Sequence, residues 1–189
     1  MKQKFIEAHE HYDGSQLVSL RNYLHHGLLG DSVVAWTGAC DVTFEHMVDG
    51  EDLLEKARIC GAEMLHFIIE KFDVSLFAAV TLQRLFAGIV KDQIQTIATN
   101  RALASTMFRI GDDLYCDKRK LSISIATQSP VSSLIHFAVN VSNNGTPVPT
   151  LSLLDLGVDA KALAVSVMQT LAKEVGSSIE ATQKVRWVK

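Results

Sequence analysis

The sequence predicts an α+β domain in which a central, mostly antiparallel sheet is flanked by helices. Three observations carry this reading. Runs rich in β-branched and aromatic residues, "SVVAW" (32–36) and "EMLHFIIEKF" (63–72), have the character of buried strands. From Asp73 to about Thr99 the apolar residues recur at helical spacing. Strand-like segments then group again from Met107 to Val141, and a further helix follows them.

In chain order, a first helix is expected from Ser15 to His26, with Ser15 as N-cap and Gly27 as its stop. "SVVAW" is the first strand. "TGACDVTFEHMVDGEDLLEKA" reads as a polar loop leading to a short helix near 50–58. The strand at 63–72 precedes the long amphipathic helix, whose buried stripe is Leu82, Leu85, Phe86, Ile89, Val90 and Ile94. Asp73 or Ser75 is available as its N-cap. After the strands and the loop "NNGTPVP", a last helix starts near Asp159 and ends at Gly176.

A chain of 189 residues suffices for one domain with a substantial core. With 48% hydrophobic and 21% charged residues it is neither a disordered tail nor an acidic scaffold. A net charge of -3 gives no global reason to expect nucleic acid or an anionic membrane as partner. The basic triplet Lys118–Arg119–Lys120 is too short to be a patch. No run reaches the roughly 18 apolar residues of a spanning helix, and "MKQKFIEAHEHYD" lacks the apolar stretch of a signal peptide. Cys40, Cys60 and Cys116 show no CxxC spacing, so buried free cysteines in a reducing cytoplasm are expected.

The segment 107–141 carries the chemistry. Read as three antiparallel strands with a turn at Asp117–Lys118, it pairs Cys116 with Arg119, Tyr115 with Lys120, Leu114 with Leu121 and Asp113 with Ser122. One face then collects Ile110, Leu114, Leu121, Ile123, Ile125, Ile135, Phe137, Val139 and Val141. The other collects Arg109, Asp113, Tyr115, Lys120, Ser122, Ser124, His136 and Asn140. Such a polar face has two readings. It is a solvated surface, with Lys120 an edge charge and His136 a surface histidine. Or it is a ligand site, since Ser122, Ser124, Ala126 and Ala138 are short enough to leave room beside the lysine.

"DDLYCDKRKLSISIA" followed by "LIHFAVNV" resembles a stretch shared by the biotin and lipoate protein ligases and the octanoyltransferases. Asp113 stands at the acidic position, Lys120 at the ligand-binding lysine and Asn140 at the end of the next strand. "LIHF" stands where lipoate ligases place their histidine. The upstream order of elements agrees with the same fold, which those enzymes share with class II aminoacyl-tRNA synthetases. Runs such as "CDVTFEHMVD" and "KLSISIAT" also resemble an uncharacterised family of unknown function, read as a remote branch of that superfamily.

The resemblance implies an enzyme that activates or transfers a small carboxylic acid or acyl group, with an acceptor protein and a homo-oligomer among the partners it leaves open. Lys120 would stabilise charge on the acyl carbonyl. Asp113 would orient Lys120 or an incoming amine, and His136 would lie beside the leaving group. Ser122 and Ser124 would line the channel, with Arg109, Gly61 and His66 completing the pocket. ATP is a candidate cofactor without a recognisable phosphate loop, because "ARICGAEMLHF" (57–67) offers Arg58 and Gly61 but no glycine run. The downstream "LSLLDLGVDA" lacks the cysteine an octanoyltransferase uses.

Two alternatives stand beside this. Asp41, Glu45, His46, Asp49, Glu51 and Asp52 crowd one loop, and His66 with Glu70 shares a strand face, as a metal-dependent hydrolase would need. The same acids also suit an ordinary helix N-terminus. The third reading is an inert module that binds a ligand on the same fold. His9, His11, His25 and His26 are expected at the surface.

Overall fold

The computed structural model describes residues 1–188. In chain order the elements are β1 (Lys2–Phe5), α1 (Arg21–His26), β2 (Ser32–Asp41), α2 (Gly50–Glu55), β3 (Cys60–Phe72), α3 (Leu76–Ile97) and α4 (Arg101–Ala104). They continue with β4 (Met107–Ile110), β5 (Asp113–Cys116), β6 (Arg119–Lys120), β7 (Ser122–Gln128), β8 (Ser132–Asn140), α5 (Leu153–Leu156) and α6 (Ala160–Gln183). The main sheet has the order β1-β2-β3-β8-β7, and a small sheet has the order β4-β5-β6. Every pairing is antiparallel except β1 with β2. This is the α+β architecture the sequence predicts.

Both faces of the main sheet are covered, which is why its central strands read as nearly unbroken apolar runs. Against α3 and α6, one core gathers Val33, Leu65, Phe67, Phe137, Phe86 and Leu171. Phe86 meets Phe67 and Phe137 edge-on, with ring centroids 5.1 and 5.2 Å away. The opposite face forms a second core from Val34, Trp36, Met64, Ile68 and Ala138, roofed by Ile6 and Tyr12. The chain segment that makes this roof crosses close to β2. Trp36 Nε1 donates to the Glu10 carbonyl over 3.0 Å, and a Cβ on Gly38 would lie 1.8 Å from that same oxygen. Among the described residues no helix is long and apolar enough to cross a membrane.

The long helix begins where expected, with the Ser75 hydroxyl accepting the Ala78 N–H. Gly27 stops α1 in the left-handed conformation. Three expectations need correction. The first helix is only Arg21–His26, because Asp13 takes both the N–H and the hydroxyl of Ser15 in a turn of its own. "TGACD" is not loop but the second half of β2, carried on past a register shift between Gly38 and Cys40. The last helix runs through Gly176 to Gln183, since a lone glycine inside helix-forming sequence weakens a helix without ending it.

The hairpin register is as read: Tyr115 faces Lys120 and Cys116 faces Arg119, with Asp117 in the left-handed region at φ 55. Beyond Lys120 the reading of faces fails. Leu121 still donates to the Leu114 carbonyl, but at Ser122 the strand leaves the small sheet and pairs with β8. Leu121 and Ser122 are consecutive and both fully buried, so the alternation slips there by one residue. Ser122 and Ser124 thereby pair with Val139 and Phe137, while Ile123 and Ile125 pair with Ala138 and His136. Ile110 is 63% exposed rather than core.

Candidate functional site

The slip at Leu121 divides the residues expected in one pocket between two sides of the sheet. Ser122 Oγ accepts the Leu114 N–H at 2.9 Å. Ser124 Oγ donates to Asp112 Oδ2 and accepts from Gln83 Nε2, each at 2.6 Å. Ser124 forms part of a cavity wall, yet its hydroxyl is occupied on the α3 side. Arg109 lies elsewhere, bonded to the Gly111 carbonyl and lining an open groove of about 520 Å³ with Arg84, Gln93 and Glu174. Gly61 is enclosed beside Met64 and Thr146, and the adjacent Ala62 N–H is tied to the Asn144 carbonyl. That packing leaves no cradle for a phosphate. Arg58 is at the surface, paired with Asp41 at 3.1 Å.

Lys120 and Asp113 do come together. The ammonium lies 2.7 Å from Asp113 Oδ2, which also accepts the Tyr115 hydroxyl at 3.3 Å. Burial pushes the Asp113 carboxyl above its ordinary range, opposed by the bond to Lys120. The pair is part-exposed, with 31% of the lysine side chain open to solvent. Lys120 also acts through space on Asp52, lowering it against burial and the Asp49 charge, which together raise it.

Asp52 belongs to the wall of a small cavity, enclosing about 50 Å³, on the face opposite α3. Tyr12, His46, Asp49, Ile125 and His136 line it too. Asp49 caps α2, accepting the N–H groups of Glu51 and Asp52. Tyr12 is stacked on His136 with ring centroids 3.7 Å apart and planes within 10°. Below this pair the stack continues to His66 and Trp36.

The two imidazoles form a relay whose tautomers the backbone sets. The Gly38 carbonyl can only accept, so His66 Nε2 carries a proton and donates to it over 3.2 Å. His66 Nδ1 is then an acceptor, and His136 Nε2–H donates to it over 3.1 Å. Burial holds both rings neutral: His66 is pushed down to about 4, and His136 well below its ordinary value, reinforced by His66. Neutral His136 therefore keeps a lone pair on Nδ1. His136 is not a surface histidine.

The family described as Domain of unknown function (DUF366) matches residues 1–186. The chain belongs to the DUF366 family. An uncharacterised protein of Methanocaldococcus jannaschii is 31% identical over 178 residues, 90% of this chain and 78% of that protein. A solved protein of unknown function from Pyrococcus horikoshi is 36% identical with a TM-score of 0.90, each chain fully covered. A mutant biotin protein ligase from Aquifex aeolicus in complex with biotin aligns with a TM-score of 0.60 at 12% identity, over 93% of this chain and 70% of that one. A putative lipoate protein ligase from T. acidophilum with bound lipoic acid gives 0.54 at 12%, over 93% and 86%. At such identity the likeness is one of fold, and it is the fold the sequence resembled.

In this DUF366 protein the hydrolase reading loses His66 as a ligand. Both His66 nitrogens are engaged inside the sheet, and among the described residues no group of three or more His, Cys, Asp or Glu could hold a metal ion. Sequence reasoning named Lys120, Asp113, His136 and His66 but missed Tyr12. Its segment has no periodicity to mark it, and only the tertiary crossing over β2 brings it to His136.

Proposed function

We propose that this DUF366 protein binds a small carboxylic acid and activates or transfers it, with the acyl carbonyl beside the Lys120 ammonium. One observation carries the reading: a lysine charge is fixed by Asp113 at 2.7 Å, part-exposed, next to a carboxylate of the cavity wall. A preorganised ammonium of this kind stabilises negative charge developing on a carbonyl oxygen. The fold neighbours solved with biotin and lipoic acid hold carboxylic acids, which supports the choice of ligand. In this proposal Lys120 and Asp113 act on the carboxyl group and His136 works from the cavity, positioned by His66. Ser122, Ser124, Arg109 and Gly61 are left out, because their groups are committed elsewhere.

A thermal-shift screen against biotin, lipoate, octanoate and their acyl-adenylates tests this, since binding to the native state raises the unfolding midpoint. At least one acid should raise it, and Lys120→Ala should abolish that response. The variant should still fold, at a cost on the order of 1–3 kcal/mol, because it leaves the largely buried Asp113 carboxylate without its cation. A folded Lys120→Ala protein that answers the same acid equally well removes Lys120 from the site.

The cavity favours a second reading, a binding module without catalysis. A cavity of about 50 Å³ takes a few water-sized groups, which suits a small ligand. Acid-dependent exchange of pyrophosphate into ATP distinguishes the two. An acid that stabilises the protein but supports no exchange selects the module.

A further inference from the structure

We infer that the cavity under Tyr12 is a binding site for a small protonated amine. The inference goes beyond the carboxylic acid reading and needs no part of it. It starts from what the wall leaves unpaired. Asp52 has no hydrogen bond or ion pair to its carboxylate among the described residues, whereas the neighbouring Asp49 carboxylate is used as a cap. His136 is 3% exposed, and its relay to His66 leaves Nδ1 as a bare acceptor. Tyr12 is 2% exposed, and its hydroxyl has no partner among the described residues. Neither atom is sealed in the protein, because Asn22 Oδ1 is the fully enclosed side-chain polar atom without a partner among them. Both residues line the same cavity as Asp52.

Two buried groups without partners, Tyr12 and His136, and the part-exposed Asp52 carboxylate line one small space and define its complement. A buried polar group without a partner costs stability, so such a set is balanced by what fills it. Nδ1 and the Asp52 carboxylate can only accept, and the Tyr12 oxygen accepts as well. The occupant must donate several hydrogen bonds. Two carboxylates on the wall and the Lys120 charge already bound to Asp113 select a cation over a neutral donor. Burial and the Asp49 charge raise Asp52 more than Lys120 lowers it, so a further cation beside it is favourable. The volume admits a group of a few heavy atoms, which fits an ammonium on a short carbon stem.

The test is titration of the whole protein with methylammonium chloride, followed by NMR at the side-chain signals of His136 and Tyr12. Formamide serves as a neutral donor and sodium acetate as the anion. Saturable shifts with methylammonium and none with formamide are expected, and any shift with acetate should vanish in Lys120→Ala while that with methylammonium remains. Asp52→Asn, which keeps the shape of a half-exposed side chain, should weaken binding by about tenfold or more, and Tyr12→Phe, which keeps the ring stack, by a smaller factor. Lys120→Ala removes a nearby positive charge and should strengthen methylammonium binding while abolishing the acid response, so the two proposals fail separately. Absence of saturation, equal binding of formamide, or unchanged binding by Asp52→Asn each overturns the inference.

Discussion

Two imidazoles buried on one carbonyl couple their protonation to folding. His66 takes up its proton at about 4 when folded, against 6.5 as the ordinary value, so the unfolded chain binds that proton first. The resulting stability is present above 6.5 and is lost as pH falls through the window down to about 4. His136 is displaced in the same direction. Urea unfolding should therefore show a loss on the order of 3 kcal/mol between the two ends of the window. His66→Gln, which can still donate to Gly38 but does not titrate, should lose much of that slope, and an unchanged slope would mean the relay is not what titrates. At this scale the resemblance placed His66 and His136 in one pocket, but nothing in the sequence says that their rings bond to each other. They meet because β3 and β8 are neighbours, in a register that no local pattern announces.

Among the elements, β2 is where packing tolerates least. A methyl group on Gly38 collides with the Glu10 backbone, which cannot swing away as a side chain would. Gly38→Ala should cost about 3 kcal/mol or more, seen as a fall in urea midpoint. Gly88, inside α3 with open space around it, is the control: Gly88→Ala should stabilise by about 0.5–1 kcal/mol. If Gly38→Ala were as mild as the helix change, the crossing at Glu10 would not be tight. The strands β2 and β3, the helix α3 and the Asp117 hairpin were legible because each is specified by its own residues. The transfer at Leu121 was not. It sets two buried residues side by side, and sequence alternation carries no sign that a strand has changed sheets. One slipped residue was enough to move Ser122 and Ser124 away from His136.

On the scale of the whole molecule, two cores share a single sheet, and one of them is closed by the N-terminal segment. Ile6 and Tyr12 roof Val34, Trp36, Met64 and Ile68, and β1 covers the edge of β2. Uncovering aromatic and aliphatic side chains of that size costs roughly 25 cal/mol per Å². A chain lacking residues 1–14 should consequently lose its cooperative thermal transition or melt far below the parent. A truncated protein with the parental midpoint would show that the second core is not cohesive. Sequence reading gave the α+β class from the order of strands and helices, and the ligase-like fold from the resemblance of residues 111–141, with which that order agrees. It left the first residues as a charged lead-in, since Ile6 and Tyr12 are too sparse to form a pattern and acquire meaning only from the surface they cover.

The roof has a consequence for the order in which the molecule assembles. Tyr12 is synthesised early, yet the ring it stacks on belongs to β8, late in the chain. Its backbone pairs with β2, Tyr12 N–H donating to the Ala39 carbonyl and Asp41 N–H to the Tyr12 carbonyl, but its ring must wait for β8. Contacts so far apart in sequence close slowly. The Tyr12 and His136 sides of the cavity thus come together only once β8, the last strand of the chain, has joined the sheet.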